Sequence, residues 1–270
     1  MINAAKSLKP FLYSSLFLYF ILTSFKGGEV SFPMVFKFKT IVIDAGHGGK
    51  DPGAHGAYSF EKNVSLAIAK KLQALLKRDM TDINVVMTRN TDKFIELNKR
   101  SQIANDNQAN LFVSIHCNST PEQSGNNEKG VLMLVYGYHR KSEQMEALRE
   151  NASIYIEKDY QKNYGGYSEK DPAALIVLNT VMQKYRKQSI LFGDMLMDQF
   201  KEVDHRVCIG VKEQGVFVLA RSGMPAVLIE TGFINNPEEE DYLNSATGQA
   251  EIVDAVVASI KNYKELEDSK

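Results

Sequence analysis

Beyond residue 37 the chain alternates short apolar runs with amphipathic stretches. A short run rich in β-branched residues predicts a buried strand, and apolar residues three or four positions apart predict a helix with one buried face. Their alternation is typical of an α/β fold with a substantially parallel sheet. The predicted strands are 40–43, 83–87, 111–115, 131–136, 216–219 and 226–229, and the predicted helices include 61–78, 94–105 and a terminal helix around 252–260.

A long, highly charged stretch from about 140 to 205 is predicted to be mostly helical. A Tyr/Gly-rich break at 164–167 divides it, and Asp171-Pro172 supplies an N-cap and a first-turn proline for its second helix. The simplest interpretation is an amphipathic helical pair that covers the sheet. Because we find no internal repeat and no second domain, we assign 38–267 to one domain in which 140–205 is a helical insertion before the last strands.

The first 25 residues differ from the rest of the chain. Lys6 and Lys9 precede an apolar run at 11–22, which is the arrangement of a secretory signal. The run is shorter than the roughly 20 apolar residues that a spanning helix needs. We therefore expect 1–25 to be a signal peptide, 26–37 to be a linker, and the protein to be exported. An uncleaved N-terminal anchor and a buried core helix are the alternatives.

Composition and charge exclude several classes of protein. With 44% hydrophobic and 24% charged residues, the chain is neither collagen-like, disordered nor a polytopic membrane protein. The 32 basic and 33 acidic residues nearly balance, so the basic surface that nucleic acid requires is missing. Two cysteines, Cys117 and Cys208, cannot build a disulfide framework. We expect Cys117 to be a buried, inert thiol and expect no disulfide between the two.

Chemically versatile side chains follow three of the predicted strands. His47 lies in the glycine-rich loop after the first strand, His116 follows the third, and Glu230 follows the last. Glu61 stands at the start of the helix after the glycine-rich loop. Open α/β sheets place their sites at the carboxyl ends of their strands, so we expect these four side chains to converge.

Two histidines and a glutamate are the ligand set of many catalytic zinc sites, which leave a fourth position for water. We therefore predict that His47, Glu61 and His116 bind Zn²⁺. Glu230 is then a carboxylate near the metal but not bound to it. Such a group can take a proton from the water and return it to a leaving nitrogen. The residues alone predict a metal-assisted hydrolase and do not identify the bond that is cut.

At these residues the sequence resembles the zinc-dependent N-acetylmuramoyl-L-alanine amidases of the amidase-3 type. The resemblance extends over 38–265, and its clearest segments are IDAGHGGKDPGA at 43–54, VSIHCN at 113–118 and PAVLIETGFINN at 225–236. It implies one zinc ion per chain, held by His47, Glu61 and His116, with Glu230 catalytic. It also implies a mixed, mainly parallel sheet of about six strands flanked by helices.

The same resemblance implies a substrate and a setting. The substrate is peptidoglycan, cleaved at the amide between the lactyl group of N-acetylmuramic acid and L-alanine of the stem peptide. The setting is the periplasm, where the enzyme acts in cell-wall remodelling and daughter-cell separation, and we expect a monomer. Two alternatives stay open: a zinc carboxy- or endopeptidase that acts on stem peptides, and a catalytically silent wall-binding protein.

The resemblance also bears on the insertion. The sequence RENAS at 149–153 resembles the start of an insertion that, in amidases of the cell-division type, occludes the zinc until an activator displaces it. An activator protein that acts on 140–205 is therefore an expected partner. Glu157, Asp159 and Glu169 are the acidic residues that we expect could cap the metal in a resting state.

Overall fold

The computed structural model describes residues 37–121, 125–137, 144–160, 162, 172–203 and 205–270, with only the backbone described for 172–183. Six strands within these residues form one sheet, in the order β2-β1-β3-β6-β4-β5. All neighbouring strands run parallel except β4 and β6. The strands are β1 (Thr40–Ala45), β2 (Asn84–Met87), β3 (Leu111–Asn118), β4 (Val131–Tyr136), β5 (Cys208–Gln214) and β6 (Ala226–Phe233). The predicted mixed, mainly parallel sheet is confirmed.

Helices cover both faces of this sheet. They are α1 (Glu61–Asp79), α2 (Leu97–Asp106), α3 (Met145–Asn151), α4 (Pro172–Glu202), α5 (Phe217–Ala220), α6 (Pro237–Asn244) and α7 (Ala246–Asp268), and a 3₁₀ helix (Ala152–Ile156) continues α3. The larger core lies between the sheet and helices α1, α4 and α7. The smaller core lies on the opposite face, under α2, α3 and α5. Both faces of the central strands are therefore buried, which explains their continuous apolar sequences.

Strand alternation decides which side chains share the site. Side chains of successive strand residues point to opposite faces of a sheet. His116 on β3 is the register partner of Glu230 on β6, so the two side chains lie next to each other on the face of the smaller core. Cys117, one residue later, points into the larger core and is fully buried, as expected. Cys117 and Cys208 are both thiols.

One predicted strand is wrong. Residues 216–219 form no strand; they lie at the start of the short helix α5, and the strand at this point of the chain is β5. β5 was missed because it lies at the edge of the sheet and exposes charged side chains such as Lys212, as edge strands commonly do. The apolar side chains of 216–219 pack into the smaller core instead. A helical turn buries such side chains as well as a strand does.

Several predictions concern residues that the structure does not describe. The N-terminal segment 1–25 and the break at 164–167 lie outside the described residues. Within the described part of the chain, no helix is both long enough and apolar enough to span a membrane. The helical character of the insertion is confirmed where it is described, by α3 and α4, which follow β4 and precede β5.

Candidate metal centre

Four buried side chains bring their ligand atoms together at the carboxyl ends of β1 and β3. One nitrogen or oxygen of each of His47, Glu61, His116 and Glu150 lies within 4.8 Å of the others. Glu61 Oε2 is 3.1 Å from His47 Nε2, and Glu61 Oε1 is 3.0 Å from His116 Nδ1. Glu150 Oε2 is 2.7 Å from His116 Nδ1 and 3.5 Å from His47 Nε2. This group of two imidazoles and two carboxylates could hold a metal ion.

Unsatisfied polar atoms in this group support a cation. His47 Nε2 and Glu150 Oε2 are completely buried, yet within the described residues neither has a hydrogen bond of acceptable geometry. Almost all buried polar atoms in proteins are hydrogen-bonded. Two atoms that break this rule and face each other are better explained as ligand atoms. The donor set, imidazole nitrogens with carboxylate oxygens, fits zinc.

A strained backbone presents His47 to the centre. His47 has a φ of 57°, a left-handed conformation that non-glycine residues rarely adopt. The buried guanidinium of Arg100 donates to the carbonyl oxygens of His47, at 2.6 Å, and of Ala45, at 2.7 Å. Arg89, also buried, donates to the carbonyl oxygens of Ala45 and Gly46. The two arginines therefore fix the backbone on which His47 stands.

Close packing requires a glycine beside His116. A Cβ atom added to Gly46 would lie 2.4 Å from the ring of His116. No other residue type can occupy this position unless the ring moves. The glycine-rich loop therefore lets the backbone of one ligand loop approach the imidazole of another ligand.

Two of the predicted ligands are also held by neighbours outside the cluster. His47 Nδ1 is 2.9 Å from Asp51 Oδ2, which leaves Nε2 for the centre. Such a carboxylate behind a histidine ligand orients the ring and raises its basicity. Glu61 accepts backbone N–H bonds from Ala54, at 2.8 Å, and Cys117, at 2.9 Å. Burial opposes ionisation of Glu61, but the positive charge of His47 and hydrogen bonds from the two histidines lower its pKa to about 2.

Glu230 lies beside the centre rather than in it. Its Oε1 accepts a hydrogen bond from Arg149 Nη2 at 2.7 Å, and its Oε2 is buried with no hydrogen-bond donor among the described residues. Burial raises the pKa of Glu230 to about 8, with help from the negative charge of Glu150 and against the opposing charge of Arg149. A carboxyl group whose pKa lies near neutrality can both accept and donate a proton.

Sequence reasoning missed Arg149 and Glu150. Arg149, on α3, donates to Glu230 and also to Asn118 Oδ1, at 2.6 Å. The expectation of a capping acid is not met by Glu157 or Asp159, because among the described residues Glu150 reaches the centre. Glu157 instead accepts the backbone N–H of Leu97, at 3.0 Å. Asp159 is exposed.

The third candidate, Glu169, lies outside the described residues. The sequence did offer a signal for Glu150, the acid that reaches the centre, because this residue is part of the RENAS segment that carries the resemblance. Only the packing of α3 against the sheet shows that its side chain points inwards.

The site is closed on its α3 side. The cavity lined by His47, His116 and Glu150 has a volume of about 10 Å³, which is room for no more than a water molecule. Larger cavities flank it. One of about 590 Å³ lies between the end of β3, α3 and β5, and one of about 460 Å³ lies on the other side of residues 119–121. In this arrangement the described residues leave no space for an amide substrate at the centre.

Comparisons with known proteins agree on one family. The family model described as N-acetylmuramoyl-L-alanine amidase matches residues 41–262. The amidase AmiC of Escherichia coli O6:H1 is 32% identical over 226 residues, which cover 83% of this chain and 52% of AmiC. The chain therefore spans about half the length of that relative.

Solved structures of amidases are similar to this chain. The N-acetylmuramoyl-L-alanine amidase from Clostridium difficile 630 is similar with a TM-score of 0.64 and 25% identity, and the match covers 85% of this chain and 98% of that one. The CwlD amidase from Clostridioides difficile, solved in complex with the GerS lipoprotein, is similar with a TM-score of 0.61 and 25% identity, over 84% of this chain and 99% of that one.

Proposed function

Because the chain belongs to the N-acetylmuramoyl-L-alanine amidase family, we propose that it hydrolyses the amide between the lactyl group of N-acetylmuramic acid and L-alanine of the peptidoglycan stem peptide. The observation that carries the proposal is the pairing of a metal-ligand cluster with a buried carboxyl group beside it. His47, Glu61 and His116 form the cluster with Glu150, and Glu230 lies beside it. A silent wall-binding protein would have no use for this arrangement.

The residues divide the chemistry between them. His47, Glu61 and His116 would hold Zn²⁺, which when bound polarises a carbonyl group and makes its water easier to deprotonate. Glu230 takes the proton from the attacking water, because its free Oε2 faces no competing donor among the described residues. Glu230 then gives that proton to the alanine nitrogen as the amide bond breaks. Burial of Glu230 favours its protonated form, which suits the second step, since the carboxyl group must hold the proton before delivering it.

We infer further that the described arrangement is a resting state. Glu150 adds a fourth protein ligand where a catalytic zinc site keeps a position for water. Arg149 forms an ion pair with Glu230 that opposes proton uptake by the carboxylate. Two consecutive residues of α3 therefore block the open position of the metal and the carboxylate of Glu230. For this reason α3 must leave before substrate enters.

An activator protein that binds the insertion is the proposed trigger. Met145, Leu148 and Tyr155 in and just after α3 are large apolar residues that remain exposed, and exposed apolar side chains grouped on one segment are typical of a protein-binding surface. The solved complex of the related CwlD amidase with a lipoprotein shows that a member of this family can bind a protein partner. We propose export to the periplasm and a role in cell-wall remodelling and daughter-cell separation, based on the sequence resemblance.

Digestion of purified sacculi tests the proposal. The zinc-loaded full chain should release stem peptides whose new amino terminus is L-alanine, identified by mass spectrometry. Glu230→Gln should retain zinc and lose cleavage by about 10²–10⁴-fold, the usual contribution of a general base. Glu238→Gln, at an exposed glutamate of α6, is the matched control and should cleave normally.

Other outcomes favour the alternatives. A new amino terminus within the stem peptide would identify a zinc peptidase instead. Bound zinc without cleavage, even after removal of the Glu150 carboxylate, would favour a catalytically silent wall-binding protein.

A further inference from the structure

A cavity of about 590 Å³ lies beside the candidate centre and is separate from the small space at the metal ligands. Its walls come from the end of β3, from β4 and β5, and from α3. Asn118 and Arg149, two residues of this lining, also contact each other, and Arg149 contacts Glu230. The cavity therefore borders the place where the scissile amide would lie, with Arg149 between the two.

Lys212 of β5 is the cation that the sheet contributes to this cavity. In the register of the sheet, Glu230 is opposite Leu132 on β4, and Leu134 on β4 is opposite Lys212. Since Leu132 and Leu134 point to the same face, Lys212 and Glu230 share that face too. They are two strands apart, which is about 10 Å across the sheet. Arg149, the other cation of the described lining, belongs to α3 and would leave with it.

A carboxylate from α3 already occupies the position in front of Lys212. Glu146 accepts hydrogen bonds from Lys212 Nζ, at 2.8 Å, and from Gln214 Nε2, at 2.5 Å. Glu146 and Glu150 are one helical turn apart and lie on the same side of α3. A single helix therefore places one carboxylate among the metal ligands and a second one on Lys212 and Gln214.

The cavity on the other side has a different character. It is about 460 Å³ in volume, and its described lining includes Asn126, Asn235 and Thr120, together with His55 and Glu240, but no lysine or arginine. Amide and hydroxyl groups suit the neutral, hydroxyl-rich glycan strand, whereas the cation of the first cavity suits an acidic group. Stem peptides carry free carboxylates, and the glycan side of the cleaved amide does not need a cation.

From these observations we propose that Lys212 and Gln214 form a carboxylate-binding subsite for the stem peptide, and that Glu146 occupies it in the resting state. The ligand is a free carboxylate within about three residues of the cleaved amide, since an extended residue spans at most about 3.6 Å. The inference rests on the proposed amidase function. When α3 leaves, the substrate carboxylate replaces Glu146 and the scissile amide replaces Glu150.

The test uses two synthetic muramoyl peptides that differ at one group, a free carboxylate in one and its carboxamide in the other. The zinc-loaded full chain should cleave the carboxylate substrate with about twofold to fivefold higher kcat/KM, the usual value of a partly exposed charge pair. Replacing Lys212 also removes its contact with Glu146 of α3 and so loosens this helix. The cleavage rates of both substrates then change together. The ratio of the two kcat/KM values cancels that effect.

Three variants test whether Lys212 binds the substrate carboxylate. Lys212→Met should bring the ratio close to one, mainly through a higher KM for the carboxylate substrate, and Lys212→Arg should restore the preference. Lys129→Met, which removes an exposed lysine outside the cavity lining, should leave the ratio unchanged. A preference that survives Lys212→Met overturns the subsite while leaving the amidase function intact. Failure to cleave either substrate, with Glu150 intact or replaced by alanine, overturns the proposed function and the subsite with it.

Discussion

Arg100 shows how much of the site depends on residues that touch neither metal nor substrate. Its side chain is 1% exposed and forms a buried ion pair with Asp44, with Arg100 Nη1 2.8 Å from Asp44 Oδ1. The same guanidinium holds the carbonyl oxygen of His47, whose backbone is left-handed. A strained conformation persists only where its surroundings fix it, and Arg100 provides that restraint.

Loss of this restraint should weaken metal binding. We expect Arg100→Met to lower zinc affinity by about 10–100-fold, the usual effect of removing a group that orients a metal ligand. It should also destabilise the fold by about 3–5 kcal/mol, because Asp44 would be left as an unpaired buried charge. Zinc affinity is measured by competition with a chelator, and stability by denaturant unfolding.

Arg78→Met is the matched control, since Arg78 is an exposed arginine of α1 whose side chain contacts Asp79. It should change neither quantity by a comparable amount. Unchanged zinc affinity in a folded Arg100→Met protein would show that His47 holds its position without help.

At the residue scale, the sequence was a good guide to side chains that follow strands. His116 and Glu230 could be placed together because strand ends meet at one edge of the sheet. Glu150 could not be placed this way, because it reaches the cluster through the docking of a separate helix. Nothing in the local sequence specifies how such a helix packs against a distant strand.

At the scale of elements, α3 is attached to the sheet by polar contacts that can be broken. Gln214 accepts the backbone N–H of Ala147, and Asn151 accepts the N–H of Phe217. Ser153, in the 3₁₀ turn after α3, donates to Asp51, the carboxylate behind His47. The attachment therefore combines these hydrogen bonds with the buried side chain of Ala147, and polar contacts of this kind are compatible with the proposed release of α3.

We expect Glu150→Gln to raise the basal rate of peptidoglycan cleavage by at least about tenfold, since a loss of about 1.4 kcal/mol from the closed state shifts the closed–open equilibrium that far. Release of dye from labelled peptidoglycan measures the rate. Glu202→Gln, at an exposed glutamate where α4 ends, is the control within the same insertion and should not activate. A slower Glu150→Gln variant with normal zinc content would mean that Glu150 assists the reaction instead of blocking it.

The elements that could be predicted from sequence are those buried on both faces. β1, β3, β4 and β6 appear as apolar runs because helices cover each side of the sheet, and their positions are confirmed within a few residues. The prediction missed β5 because an edge strand with one exposed side carries charged residues, which resemble those of a loop. The order of strands, with β4 reversed beside β6, has no local signature in the sequence.

At the scale of the whole molecule, the metal centre joins distant parts of the chain. His47 follows β1, Glu61 begins α1 and His116 lies near the end of β3, so a bound ion would connect three elements. A ligand that binds only the folded state stabilises it by about 2.7 kcal/mol when present at a hundredfold excess over its Kd. For a domain of this size that corresponds to about 5–10 °C in Tm.

Thermal unfolding of the metal-free full chain, with and without added Zn²⁺, measures this effect. Zn²⁺ should raise Tm by that amount, whereas Mg²⁺, which prefers oxygen ligands, should not. Glu61→Gln should remove most of the increase because a neutral amide is a poor zinc ligand. An equal increase in this variant would place the stabilising ion somewhere else on the molecule.

The place of α3 in the chain has a consequence for how members of this family can differ. The candidate ligands and Glu230 are carried by β1, α1, β3 and β6, whereas α3 enters from the connection between β4 and β5. Each doubling of a connection costs only about 0.6 kcal/mol in closure entropy. Under the proposed resting state, the segment that carries α3 can therefore be lengthened, shortened or exchanged while the residues of the metal centre keep their sequence, so that inhibition and hydrolysis can evolve as separate modules of one chain.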